Sequence, residues 1–167
     1  ERFVDIFIII HFVFRDFEIL DSTGNKVAIA TSRWVLLNVN THKVSKITPE
    51  VAERFAANNI RVFDNEIEKL KEPDTYESCF NYTILRRDID TNNHVNNLNY
   101  INFALEALPE NMYKNVDFSS IEIMYKKQCV LGDTINCLYH KENNDEHVVS
   151  IKSADGNTLH AIVRFRI

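Results

Sequence analysis

Between Leu98 and Leu108 apolar residues recur at spacings of three and four, at Leu98, Ile101, Leu105 and Leu108, and Pro109 closes the pattern. This periodicity lays the four along one side of a single helix. The chain after it has a different period. Residues 120–129, 133–141, 147–153 and 158–167 are rich in β-branched and aromatic side chains, and turn formers at Leu131-Gly132, 142–146 and 154–157 separate them. One long helix followed by four consecutive strands, with a β-type run at 82–85 before it, predicts an antiparallel sheet wrapped on one buried helix, an α+β domain.

The junction between that first run and the helix holds the densest group of chemically capable side chains in the sequence. Asp88, Asp90, Asn92, Asn93, His94, Asn96 and Asn97 fall within it. Asn96 or Asn97 fits the N-cap of the helix. A polar loop entering a helix sets backbone N–H groups and the positive end of the dipole beside a histidine and carboxylates, which suits stabilising an oxyanion.

Composition narrows the function classes. With 167 residues and 45% hydrophobic content the chain can bury a core, as one domain or two small ones. The net charge is −5 and Lys and Arg are scattered, which argues against a nucleic-acid footprint. Gly24, Gly132 and Gly156 each sit beside turn formers, so no glycine-rich loop cradles a nucleotide phosphate. No H-E-x-x-H and no Cys-His pairing at ligand spacing occurs, so neither a metal nor another cofactor is expected. Cys79, Cys129 and Cys137 form no C-x-x-C, which fits a reduced, cytoplasmic compartment. The apolar run 6–14 is too short to span a bilayer and contains His11, so it reads as buried strand and not as a membrane or signal segment. A chain that begins with Glu1 is expected to continue upstream.

In the first half, residues 17–20, a turn at 21–25 and a β-rich run 27–39 with Trp34 predict a hairpin. Thr48 and Pro49 fit the start of a helix running to about Asn58. Residues 64–79, charged and carrying Pro73, read as a linker across a surface between a unit at 1–63 and a domain at 80–167. The segment around Ser22-Thr23-Gly24-Asn25-Lys26-Val27 parallels that around Ser153-Ala154-Asp155-Gly156-Asn157-Thr158. Each copy is a strand, a Gly-Asn turn and a strand, the mark of an internal repeat. The first copy is expected to be incomplete, without its own helix. The run 3–20 lacks a turn between strands, so residues near His11 are expected to be missing as well.

With strand, D-I-D-T-N-N-H-V-N-N-L-N-Y, helix and four strands in this order, the second half resembles the hot-dog fold. More narrowly, the whole chain resembles the acyl-acyl-carrier-protein thioesterases of bacteria and plant plastids, which carry two hot-dog repeats in tandem. The resemblance rests on Asp90, Asn92, His94, Val95, Asn96, Asn97 and Tyr100, with the helix continuing through Glu106 to Pro109. The segment from Ser32-Arg33-Trp34-Val35 to Pro49 is similar to the end of the first repeat of that family. The family often has a glutamate on the strand after the helix, and Gln128 stands at the matching position.

The resemblance implies hydrolysis of acyl-acyl-carrier protein to a free fatty acid, with acyl-carrier protein as partner and a homodimer expected. Alternatives are a single-repeat hot-dog acyl-coenzyme-A thioesterase, which leaves the first seventy or so residues unexplained, and a non-catalytic acyl-binding hot-dog module. His94 can deprotonate water. Asp90 can orient His94, hold the water or attack the carbonyl, and Asn92 can donate to the oxyanion or position water. Gln128 can hold the water through its carbonyl oxygen, although an amide cannot act as a base. Strand alternation turns Gln128 away from Cys129, and Asp88 is read as structural or at the surface. Arg86, Arg87, Lys126 and Lys127 are candidates to meet an acidic carrier, against the ordinary reading of solvated charge.

Overall fold

The computed structural model describes residues 2–9 by their backbone, and residues 11–38, 40–41, 43–55, 60–64 and 67–167 in full. It divides into two compact units, Glu1–Ile67 and Glu68–Ile167.

The first unit is a three-stranded antiparallel meander, β1 (Arg2–Ile9), β2 (Phe12–Leu20) and β3 (Lys26–Val35), in that spatial order. Ile9 pairs with Phe12 and His11 lies in a turn, so the run expected to lack a turn reverses within the sequence as it stands. The β2–β3 turn is built by Asp21, whose carboxylate accepts the N–H groups of Thr23 at 2.8 Å and Asn25 at 2.9 Å, while Gly24 takes φ +89°. An aspartate that bonds the backbone ahead of it and a glycine free to take positive φ are the residues this turn needs. Farther along, α1 (Pro49–Arg54) begins at the expected proline; its predicted end near Asn58, like the predicted end of the β-run at Val39, lies outside the described residues.

The second unit contains β4 (Ser78–Thr83), α2 (Asn97–Glu106), α3 (Glu110–Asn115), β5 (Ser120–Tyr125), β6 (Thr134–Lys141), β7 (Glu146–Ser153) and β8 (Leu159–Arg166). Its five strands are antiparallel in the order β4-β6-β7-β8-β5, and α2 lies against β6, β7 and β8. This is the hot-dog arrangement. Period-two alternation sends Ile135, Cys137, Val149, Ile151, Ala161, Val163 and Phe165 toward the helix. Each large apolar side chain withdrawn from water there contributes roughly 1.5–3 kcal/mol.

The helix buries a different face from the one expected. Tyr100, Phe103, Ala104, Ala107 and Leu108 enter the core, whereas Leu98 is 63% exposed and Ile101 and Leu105 are half-buried. α2 has a broad apolar arc, with Asn99, Asn102 and Glu106 grouped on the remaining side, so Leu periodicity alone does not settle which part of that arc is buried. The sheet selects the side carrying the two aromatic rings, which bury more area than leucine. The short α3, starting after Pro109, is an element the sequence reading lacks.

On the other face of the sheet, Val148 and Ile162 pack with Leu70, from the charged segment before β4. That segment is fastened to the sheet: Lys152 Nζ donates to Glu72 at 2.7 Å, and Glu77 accepts the Lys141 N–H at 3.1 Å.

Candidate active site

After β4 the chain does not continue as strand. Residues Arg86–Asp88 form one turn of 3-10 helix, and Asp88 is buried at its end. Its Oδ2 accepts the Tyr82 hydroxyl at 2.9 Å and the Leu85 N–H at 2.8 Å, and its carbonyl accepts from Asn96 N–H at 2.8 Å and Asn99 Nδ2 at 3.1 Å. Asp88 is therefore structural, one of the two places expected for it: it is an internal bracket tying β4 to the start of α2, not a surface group.

The next residues form a tight reversal. Ile89 and Val95 pair antiparallel, Asp90 N–H donates to the His94 carbonyl at 2.8 Å, and Asn93 N–H donates to the Asp90 carbonyl at 3.1 Å. Asn93 carries φ +62°, a conformation asparagine tolerates better than most residues. The Asp90 carboxylate accepts the Asn92 N–H at 2.8 Å, the Asn92 side-chain amide at 3.4 Å and the His94 N–H at 3.5 Å. The Asn92 N–H, first among these, holds the carboxyl of Asp90 below the usual carboxylate range. Asp90 thus reaches the backbone of His94, not its ring. His94 is half-buried, and no group among the described residues hydrogen-bonds its imidazole. Asn92 is exposed beside it.

Asn96 caps α2, its Oδ1 accepting the Leu98 N–H at 2.9 Å. The loop is clamped from outside by the segment after β5: Val95 N–H donates to the Cys129 carbonyl at 3.0 Å, and Cys129 N–H donates to the Tyr100 hydroxyl at 2.9 Å. Tyr125 adds a bond to the Asn97 carbonyl at 3.0 Å. Neither tyrosine was assigned this role from sequence; an aromatic with a polar tip in the apolar face of the helix is the signal that points to Tyr100.

Gln128 is close to this loop along the backbone but not on a strand. β5 stops at Tyr125: Lys126 N–H still donates to the His160 carbonyl of β8 at 2.8 Å, but Lys127 N–H turns to the same carbonyl at 3.3 Å and so leaves the ladder. Gln128 is exposed and Cys129 is 0% exposed, so the two do face opposite ways. Burial pushes the Cys129 thiol up to about 11, which leaves almost no thiolate at neutral pH. The structure thus brings Asp90, Asn92 and His94 into one turn, sets the backbone of Gln128 next to it, and withdraws Cys129 into the core. No cluster of three or more His, Cys, Asp or Glu able to hold a metal occurs among the described residues.

A five-stranded sheet around a helix whose entry carries this loop defines a hot-dog protein with a polar site at the helix start. Residues 71–165 match the acyl-ACP thioesterase C-terminal domain and residues 10–55 match the acyl-ACP thioesterase N-terminal domain. The chain belongs to the acyl-ACP thioesterase family. It is 29% identical over 158 residues to oleoyl-acyl carrier protein thioesterase 2, chloroplastic, of Arabidopsis thaliana, covering 86% of this chain and 42% of that relative. With dodecanoyl-[acyl-carrier-protein] hydrolase, chloroplastic, of Umbellularia californica it shares 32% over 133 residues, covering 74% and 34%. The solved structure of the 12:0-ACP thioesterase from Umbellularia californica superposes with TM-score 0.87 at 25% identity, covering 99% of this chain and 66% of that one. An acyl-ACP thioesterase from Bacteroides thetaiotaomicron shares the fold at TM-score 0.82 and 21% identity, covering 99% and 66%. The chain spans less than half the length of these curated relatives.

Proposed function

We propose that this chain carries the catalytic part of a thioesterase that hydrolyses acyl-acyl-carrier protein to a free fatty acid and the carrier. The observation that carries the reading is the Asp90–His94 turn, whose imidazole has no hydrogen-bond partner among the described residues, inside the stretch that matches the family's C-terminal domain. His94 accepts a proton from water as the oxygen attacks the thioester carbonyl. Asn92 donates to the oxyanion that forms. Collapse breaks the C–S bond, and the imidazolium returns the proton to the departing thiolate. Asp90, committed to backbone N–H groups, acts as a positioning residue that holds the His94 backbone. Gln128 holds the water through its carbonyl oxygen.

We further infer that residues 1–63 and 80–167 are two hot-dog repeats, the first partial, joined by 64–79. The protein is read as cytoplasmic and homodimeric. The three cysteines are free, and no helix among the described residues is long and apolar enough to cross a membrane. Exposed Val27, Ile29 and Trp34 on the first sheet support association.

One observation favours a second reading, a non-catalytic acyl-binding module: the Asp90 carboxylate is occupied by the loop, and Gln128 cannot serve as a base. Hydrolysis of one acyl group presented on acyl-carrier protein and on coenzyme A tests both. The carrier substrate should be cleaved at least about tenfold faster at limiting concentration. A preference for coenzyme A overturns the assignment, and cleavage of neither supports the binding module.

A further inference from the structure

On the outer face of the second sheet, away from the core that holds α2, lies an open groove of about 350 Å³. Its floor is Leu70, Met124, Leu159 and Ile162, and its rim carries Lys69, Lys71 and Lys126. Such a volume is at the small end for ligand sites, enough to seat an apolar anchor side chain. The rim is unusual in a chain of net charge −5. The other cations of this face are neutralised: Lys152 pairs with Glu72 at 2.7 Å, and Arg164 with Glu122 at 2.7 Å and Glu146 at 3.1 Å. Glu72, the one acid among the described residues that line the groove, is thereby spent on Lys152. Lys69, Lys71 and Lys126 are exposed and take part in no ion pair among the described residues.

The groove is also mechanically joined to the candidate site. His160 is buried, its carbonyl accepts the N–H groups of Lys126 and Lys127, and its Nδ1 lies 3.0 Å from the Lys127 carbonyl, which fixes this corner. Three residues beyond Lys126, at most about 11 Å of extended chain, Cys129 accepts the Val95 N–H next to His94.

We propose that this groove docks the acyl-carrier protein, taking an acidic helix whose apolar residue seats on Met124, Leu159 and Ile162 while its carboxylates meet Lys69, Lys71 and Lys126. The proposal rests on the thioesterase reading for the identity of the partner. The charge complementarity is specific: an uncompensated positive rim over an apolar floor fits an acidic amphipathic surface, whereas nucleic acid wants a broader basic face than three lysines provide. Docking here would deliver a tethered thioester around the end of β5 to the Asp90–His94 turn.

The test uses the intact protein and the charge-reversal variant Lys69→Glu/Lys126→Glu, with Lys141→Glu as a control elsewhere on the surface. The double variant should raise KM for acyl-carrier protein about tenfold at low salt with kcat within about twofold, the gap closing as salt screens the charges. Cleavage of a carrier-free acyl-pantetheine thioester should not change. No rise in KM, or an equal rise with both substrates, overturns the docking site. Binding of a carrier bearing a non-hydrolysable acyl amide separates the two proposals. Lysine-dependent binding without any hydrolysis of the thioester would uphold the groove and sink the thioesterase reading. Hydrolysis with lysine-independent binding would do the reverse, and competition by a short DNA duplex as effective as the carrier would also overturn the groove.

Discussion

The two sheets contain the same local structure in different surroundings. In the first unit Phe17 pairs with Ala30, Ile19 with Ala28 and Leu20 with Lys26; in the second Val149 pairs with Val163, Ile151 with Ala161 and Lys152 with Leu159. Both hairpins shift register just before the turn, between Ile19 and Leu20 and between Ile151 and Lys152. Both have a glycine at positive φ whose N–H donates to the carbonyl three residues earlier, Gly24 to Asp21 and Gly156 to Ser153. Burial is where they part. Ile151, against α2, is 0% exposed, while its counterpart Ile19 is 51% exposed. Turn residues fix the hairpin locally; the element laid on its face decides what that face contributes to stability.

Four expected outcomes bear on that contrast. The largest is Ile151→Ala, which should cost about 2–5 kcal/mol by urea unfolding, against a change within about 0.5 kcal/mol for Ile19→Ala. Equal costs would mean that the first sheet is covered in solution. Next come the buried carboxylates that fasten each unit. Asp16 accepts Arg61 Nε and the Val62 N–H, both at 2.9 Å, and Asp88 accepts Tyr82 and Leu85. Replacing either with alanine leaves a backbone N–H unpaired and should cost about 1–3 kcal/mol. Gly24→Ala and Gly156→Ala should cost similar amounts, about 1–2 kcal/mol, because an added Cβ meets nothing within 4 Å at either site and only the positive φ resists it. Unequal costs would break the equivalence of the turns.

The smallest outcome concerns pH. His147 is buried in the second unit, its Nδ1 2.8 Å from the Tyr139 hydroxyl, and burial, then the nearby Lys141 charge, hold its imidazole below the ordinary value. The unfolded chain takes up this proton near pH 6.5 and the folded chain resists it. The contribution is thus complete above that pH and declines as pH falls from about 6.5 toward the folded value. Between pH 7.5 and 5.5 the wild type should lose up to about 1 kcal/mol more than His147→Gln.

Much of this was legible in the sequence where a local signal sufficed. The turns at Gly24 and Gly156, the four strands after the helix and a cap at Asn96 or Asn97, which the structure resolves to Asn96, each follow from side chains that act within a few residues. What escaped depends on partners far along the chain. The buried face of α2 is chosen by the sheet, so Leu98 points out and Tyr100 in. The 3-10 turn that buries Asp88 interrupts the run after β4, and the doubly used His160 carbonyl ends β5 before Gln128. For the candidate site, sequence placed Asp90, Asn92 and His94 in one loop. That Asp90 serves the loop backbone is a matter of geometry that spacing does not encode.

The most direct test of the account is the rate of fatty-acid release from acyl-carrier protein by His94→Ala beside wild type, with the melting temperature of each recorded. If the imidazole is the base, kcat should fall by about a hundredfold or more while the melting temperature stays within about 2 °C, since no hydrogen bond to the ring among the described residues is lost. A rate within about threefold of wild type, in a variant that remains folded, would contradict it.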